Sequence, residues 1–183
     1  MEDVLQALLR LLPLDQLPRT GWLLHGVPDP ESIAGHTLGA AFCALALAPR
    51  VEPPLDVDRV VALCVVHDAP EAESGDLPRS ASRALPEGAK ARMEGSLADG
   101  LLSPLTPTAR ARFTEYSGAE TREARLARLC DKLQLGIRLL GYQRAGQRGL
   151  AEFADGLRSL DCGEFPPAEE LRLALLERLR SPT

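Results

Sequence analysis

Asparagine is absent from this chain, lysine and isoleucine occur twice each, and 8 valines stand against 34 leucines. Aromatic residues make up only 4%. Sheets draw on β-branched and aromatic side chains, whereas leucine, alanine, arginine and glutamate lose little freedom in a helix. The composition therefore argues against a β protein and predicts an all-α one. Long apolar runs are missing too: the longest, Leu38 to Ala48, falls well short of the roughly 20 residues a membrane span requires. Nor is there an excess of basic charge. With 21 basic and 26 acidic residues the net charge is -5, which leaves no electrostatic case for a nucleic-acid polymer or an anionic membrane surface as partner. The loss of asparagine beside 19 arginines reads as genome composition first and tolerance of heat second.

The chain opens with Glu2 and Asp3 rather than a basic segment, and Leu5, Leu8, Leu9 and Leu12 follow at helical spacing. An amphipathic first helix is expected there, and no signal peptide. Four cysteines, Cys43, Cys64, Cys130 and Cys162, lie far apart, three of them in helical stretches. They read as reduced core residues of a cytoplasmic protein rather than a disulfide framework.

At 183 residues, 45% hydrophobic and 26% charged, the chain has the size and composition of one globular domain. Pro13, Pro18, Gly21, Gly26, Pro28 and Pro30 predict an irregular connection over 13–31. Ser32 can cap the next helix, whose Gly35, Gly39, Ala40, Ala41 and Ala44 allow close backbone approach and suit a central, buried position. Asp56 can cap another, with Val57, Val60, Val61, Cys64 and Val65 on its apolar face, running up to His67 and Asp68. Pro70 should end that helix and open a short second turn, with Gly75-Asp76-Leu77-Pro78 as a loop. Helices are further expected over 87–102, 107–116, 119–142, 147–159 and 167–180, with Ala124, Leu126, Leu129, Leu133, Ile137 and Leu140 lining one face of the longest.

Polar residues inside apolar helices need partners, because burial without one is costly. His36 sits among small residues, His67-Asp68 ends a valine-rich helix, and Asp131 lies among Leu126, Leu129, Cys130 and Leu133. Three such helices packed side by side can bring two imidazoles and two carboxylates onto one divalent cation. Taken singly, each residue has a plainer account: a helical histidine is usually structural, and Asp131 could pair with Lys132, Arg128 or Arg138. The combination, with the acids Glu71 and Asp76 in a segment broken by Pro and Gly, favours a shared site.

The order His36, His67-Asp68, Asp131 resembles the H...HD...D signature of the HD-domain metal-dependent phosphohydrolases. The strings RTGWLLHGVPDPESIAGH (19–36), HDAPEAESGDLP (67–78) and EYSGAETREARLARLCDKLQL (115–135) are similar to the 5'-deoxynucleotidase branch of that superfamily. The resemblance covers about 18–160 and implies a single HD domain over 1–183, an all-α bundle around a buried metal. It makes His36, His67, Asp68 and Asp131 the metal ligands, and Glu71 and Asp76 the acidic catalytic residues. It makes Arg19 a phosphate contact and Trp22 an aromatic wall beside the sugar, with His25 where relatives often have a phosphate-binding arginine. Thr20 and Gly21 separate Arg19 from Trp22, which adjoin in some bacterial members. Gly35 replaces a frequent acid, and Gln134 a frequent glutamate. The implied reaction is hydrolysis of (deoxy)nucleoside 5'-monophosphates to nucleoside and phosphate, by a homodimer carrying one divalent ion among Mn, Co, Fe, Ni, Mg and Zn. Phosphomonoester hydrolysis needs positive charge on the phosphoryl oxygens, an in-line water and a proton for the leaving alkoxide, and this set of side chains can serve each need. Two other readings remain at this point: a nucleotide-binding or regulatory module without turnover, and an HD phosphohydrolase acting on a different nucleotide.

Overall fold

Caps and prolines decide where the helices begin and end. The computed structural model describes residues 1–180. Its helices are α1 (Glu2–Leu11), α2 (Thr20–Leu24), α3 (Ile33–Leu47), α4 (Val57–Val66), α5 (Glu71–Ser74), α6 (Arg79–Ala84), α7 (Ala89–Leu102), α8 (Pro107–Gly118), α9 (Arg122–Arg144), α10 (Ala151–Arg158) and α11 (Pro166–Arg180). Ser32 Oγ accepts from the Gly35 N–H and Asp56 Oδ1 from the Arg59 N–H, both at 3.0 Å, so α3 and α4 start where their sequences predict. Thr106, ahead of Pro107, caps α8, and Thr121 caps α9. Pro70 precedes α5, a single turn after α4 has ended. Among the described residues there is no strand. One antiparallel bridge joins Pro18 to Ser32, with the Arg19 N–H donating to the Glu31 carbonyl (3.0 Å) and the Ile33 N–H to the Leu17 carbonyl (2.9 Å).

α3, α4 and α9 pack against one another as the centre of an all-α bundle, and α10 and α11 close over α9. Ala40, Ala44, Leu63, Leu126 and Leu133 are fully buried between the three central helices. A second apolar cluster joins α7 and α8 through Leu101, Leu102 and Phe113, and a third gathers Trp22, Val27, Leu139, Leu150 and Ala154. All four cysteines are buried and free. No described helix is long and apolar enough to cross a membrane.

Several faces differ from expectation. The connection over 13–31 contains α2, and α6 forms just after the loop at 75–78. On α9 the buried side is set by Leu126, Ala127, Cys130, Leu133 and Gln134, which leaves Ile137 exposed, because α3 and α4 both press on that side. Val65 likewise faces outward while Leu63 takes the core position on α4. On α1 only Ala7 is buried: the helix meets α7 through the partly buried Leu11 and through Arg10 donating to the Gly100 carbonyl, and Leu5, Leu8, Leu9 and Leu12 stay about half exposed or more.

Candidate metal centre

The three central helices deliver their polar residues to one place. His36 is held in the first turn of α3 by the Ser32 cap, His67 and Asp68 occupy the turn where α4 stops, and Asp131 projects from the middle of α9. His36 Nε2 lies 3.0 Å from Asp131 Oδ1 and 3.7 Å from Asp68 Oδ2, and His67 Nε2 lies 3.2 Å from the same Asp68 oxygen. Donor atoms of His36, His67 and Asp68 fall within 4.8 Å of one another.

The far side of each ring explains its orientation. His67 Nδ1 lies 2.6 Å from the Cys64 carbonyl, and His36 Nδ1 lies 2.5 Å from Gln134 Oε1. Both acceptors require a hydrogen on Nδ1, which turns each Nε2 toward the carboxylates, where it can take a proton or a cation. Among the described residues, the buried side-chain atoms without a hydrogen-bond partner are His36 Nε2, His67 Nε2 and Glu71 Oε2. Electron pairs facing carboxylate oxygens at 3 to 4 Å repel unless a positive charge stands between them. Two imidazole nitrogens and the Asp68 carboxylate lie close enough together to fit a divalent cation, and Asp131, 3.0 Å from His36 Nε2, stands beside them as a candidate fourth donor.

The same demand for positive charge governs the titrations. Burial works against the His67 cation, yet Asp68 beside it raises the imidazole to about 9. Burial likewise opposes the charge on Asp68 and Asp131. His67 and Arg19 nevertheless hold Asp68 below the usual carboxylate range, and Lys132 and His36 do so for Asp131. Glu71 moves the other way: burial, with the Asp68 and Asp76 carboxylates nearby, pushes it up to about 9 against the pull of Arg19.

Arg19 is the cation on the open side. Burial opposes its charge, but four surrounding acids hold the guanidinium above its ordinary value. Its Nη1 lies 3.1 Å from Asp68 Oδ2, 3.5 Å from Asp76 Oδ1 and 3.6 Å from Glu71 Oε2. Asp76 follows Gly75, whose φ of 70° turns the chain back, and it is fastened by the Thr20 N–H to Oδ2 (2.5 Å) and the Thr20 hydroxyl to its carbonyl (2.8 Å). Arg19, Glu71 and Asp76 therefore meet the four candidate ligands in one cluster. Lys132 and Tyr116 complete it, with Nζ 2.8 Å from Asp131 Oδ2 and the phenol donating to that oxygen at 3.3 Å.

Trp22 and His25 are not brought to that cluster. Trp22 is 1% exposed, stacked on Phe153 (3.9 Å between centroids) and edge-on to Tyr142. Its indole N–H donates to Glu31 Oε1 at 3.1 Å. His25 Nδ1 lies 2.9 Å from the Gly21 carbonyl, and its Nε2 faces Glu152 at 3.4 Å. Glu31 and Thr20 escaped sequence reasoning. A signal for Glu31 existed: a lone buried tryptophan needs an acceptor for its N–H, and Glu31 is an acid close by in the same connection.

The stretch 13–155 matches the family model described as HD domain. The chain is 30% identical over 150 residues to the protein named 5'-deoxynucleotidase hdd1 of Schizosaccharomyces pombe, across 76% of this chain and 73% of that protein. It is 28% identical over 151 residues to the 5'-deoxynucleotidase HDDC2 of Xenopus laevis, across 80% of this chain and 73% of that one. Among solved structures, the PH0347 protein of Pyrococcus horikoshii superposes with a TM-score of 0.83 at 29% identity, covering 95% of this chain and 99% of its own.

Proposed function

The chain belongs to the HD-domain family, and on that footing we propose that it is a metal-dependent phosphohydrolase that removes phosphate from deoxynucleoside 5'-monophosphates. One observation carries the reading: two buried imidazole nitrogens and two carboxylates share a need for a cation, beside an arginine held only by acids. The relatives named 5'-deoxynucleotidase support the substrate class.

In this reading His36, His67, Asp68 and Asp131 hold one divalent ion, drawn from Mn, Co, Fe, Ni, Mg or Zn. Bound there, the ion supplies Lewis acidity for the phosphoryl oxygens and acidifies a water. Arg19 exchanges its carboxylate partners for the phosphate, to which a guanidinium offers two parallel N–H donors. Glu71 holds its proton because it is buried and faces neighbouring carboxylates, so it is the group placed to exchange a proton with a reacting oxygen. Asp76, pinned at both its side chain and its carbonyl by Thr20, keeps Arg19 aimed at the cluster.

The reading extends to a homodimer in the cytoplasm. Leu38, Phe42 and Leu45 form an exposed apolar stripe on α3 that supports self-association, and four free buried thiols support a reducing compartment. The test is phosphate release by purified, metal-loaded protein from paired ribo- and deoxyribonucleoside 5'-monophosphates, with light scattering on the same sample. Release from deoxynucleotides at twice the chain mass is expected. Binding without release would make the protein a nucleotide sensor, and a single chain mass would remove the dimer.

A further inference from the structure

A closed polar chain runs behind the α3 histidine, on the side away from the acids. Glu31, whose side chain is 2% exposed, accepts from the Trp22 indole at Oε1 (3.1 Å) and from Gln134 Nε2 and Arg138 Nε at Oε2 (both 2.8 Å). Its backbone is pinned as well, the N–H donating to the Tyr142 hydroxyl (2.8 Å) and the carbonyl accepting from the Arg19 N–H (3.0 Å). A carboxylate can only accept, so the Gln134 amide must turn its NH2 to Glu31 and its oxygen to His36. That oxygen in turn can only accept, which puts the hydrogen on His36 Nδ1 and the electron pair on Nε2.

We infer that Glu31 and Gln134 are positioning residues, a two-member relay that fixes the tautomer and direction of His36 so that Nε2 is presented as an electron-pair donor between Asp68 and Asp131. Trp22 and Arg138 hold the first member. Gly39 makes room for the second: a Cβ there would stand 2.7 Å from Gln134 Cγ and 2.9 Å from its Nε2, so any side chain would push the amide off the ring. The negative charge thus sits one residue removed from the imidazole, with a neutral amide carrying its polarity inward. The inference rests on the proposed function only in taking His36 as a metal ligand.

The test is isothermal titration of Mn²⁺ into metal-stripped full-length protein, with thermal midpoints measured in parallel. Partners that orient a ligating histidine are worth about 10- to 100-fold in metal affinity, so Gln134→Met, which keeps volume and removes both bonds, should weaken Mn²⁺ binding at least tenfold. Glu31→Gln and Gln134→Glu should each weaken it, the first by leaving an NH2 against one of the donors that Glu31 accepts from, the second by setting two carboxylates together. The double exchange Glu31→Gln/Gln134→Glu restores the order of donors and acceptors along the path to His36: the new amide at position 31 donates to the new carboxylate at position 134, which accepts from His36, while Arg138, whose side chain is 40% exposed, can turn from position 31 to the new carboxylate. Its affinity should return to within about threefold of wild type. If Gln134→Met does not fold, the three exchange proteins decide alone. A double exchange no tighter than the weaker single, or losses that merely follow the thermal midpoints, would overturn the relay. Wild-type protein that fails to bind Mn²⁺ would overturn the metal reading and the relay with it, whereas tight wild-type binding left unchanged by Gln134→Met would overturn the relay alone.

Discussion

Behind the His36 ring, one carboxylate is matched by a guanidinium, an indole N–H and an amide, and every one of these groups has its partner. In front of the same ring, the carboxyls of Asp68, Asp131, Glu71 and Asp76 are answered by Arg19 and Lys132, and three buried atoms have no hydrogen-bond partner among the described residues. Both halves are polar and both are largely buried, so burial does not separate them. Charge balance does. A polar network that closes on itself is scaffold, and one that reaches balance only by holding extra protons, as His67 and Glu71 do, is built to receive a ligand that brings positive charge.

The sharpest way to break this contrast is to remove a carboxylate from the front. Asp131→Ala should still fold, since the apolar helix faces around it are untouched, but it should lose the metal and with it turnover. Elemental analysis of the purified variant checks this, and full metal occupancy would take Asp131 out of the centre. A smaller effect is expected from Glu71→Gln, which keeps the shape and removes the exchangeable proton. Metal and substrate binding should persist while kcat falls by roughly 10²-fold. Steady-state kinetics beside metal analysis would reveal it, and unchanged turnover would pass the proton work to Asp76 or to solvent. The smallest effect belongs to the back. Trp22→Phe keeps the stack on Phe153 and deletes the bond to Glu31, at a cost of about 1.5 to 3 kcal/mol in urea unfolding, the range for a hydrogen bond to a charged group. The ratio of kcat/KM for deoxy and ribo substrates should stay the same. A ratio that moves would assign the indole to the sugar side after all.

Much of this was legible in the sequence. Ser32, Asp56 and Pro70 mark boundaries because a side-chain oxygen or a missing N–H acts within one turn, where local chemistry decides. His36, His67-Asp68 and Asp131 could be picked out as polar residues in apolar helices, where the combination, more than any one of them, favours a common partner. The faces of α4 and α9 were less legible, because which valine or isoleucine turns outward depends on two neighbouring helices rather than on the period of one. The short helices α2 and α6 lie in stretches rich in Pro, Gly and Ser, too brief to show a period. Glu31 looked like any acid between two loop residues; its burial comes from α9, more than a hundred residues away in the chain.

The bridge between Pro18 and Ser32 ties the two halves together. It places Arg19, whose side chain faces the acids, one backbone hydrogen bond from Glu31, whose side chain backs the histidine. The intervening segment leaves and returns through fixed ends, with an exposed turn at Pro28 and Asp29 between them. Loop closure costs little per added residue once the ends are secured. Length can therefore accumulate or vanish at that turn while both halves of the site stay in register. A change of chain length thus has a place to occur within seven residues of His36.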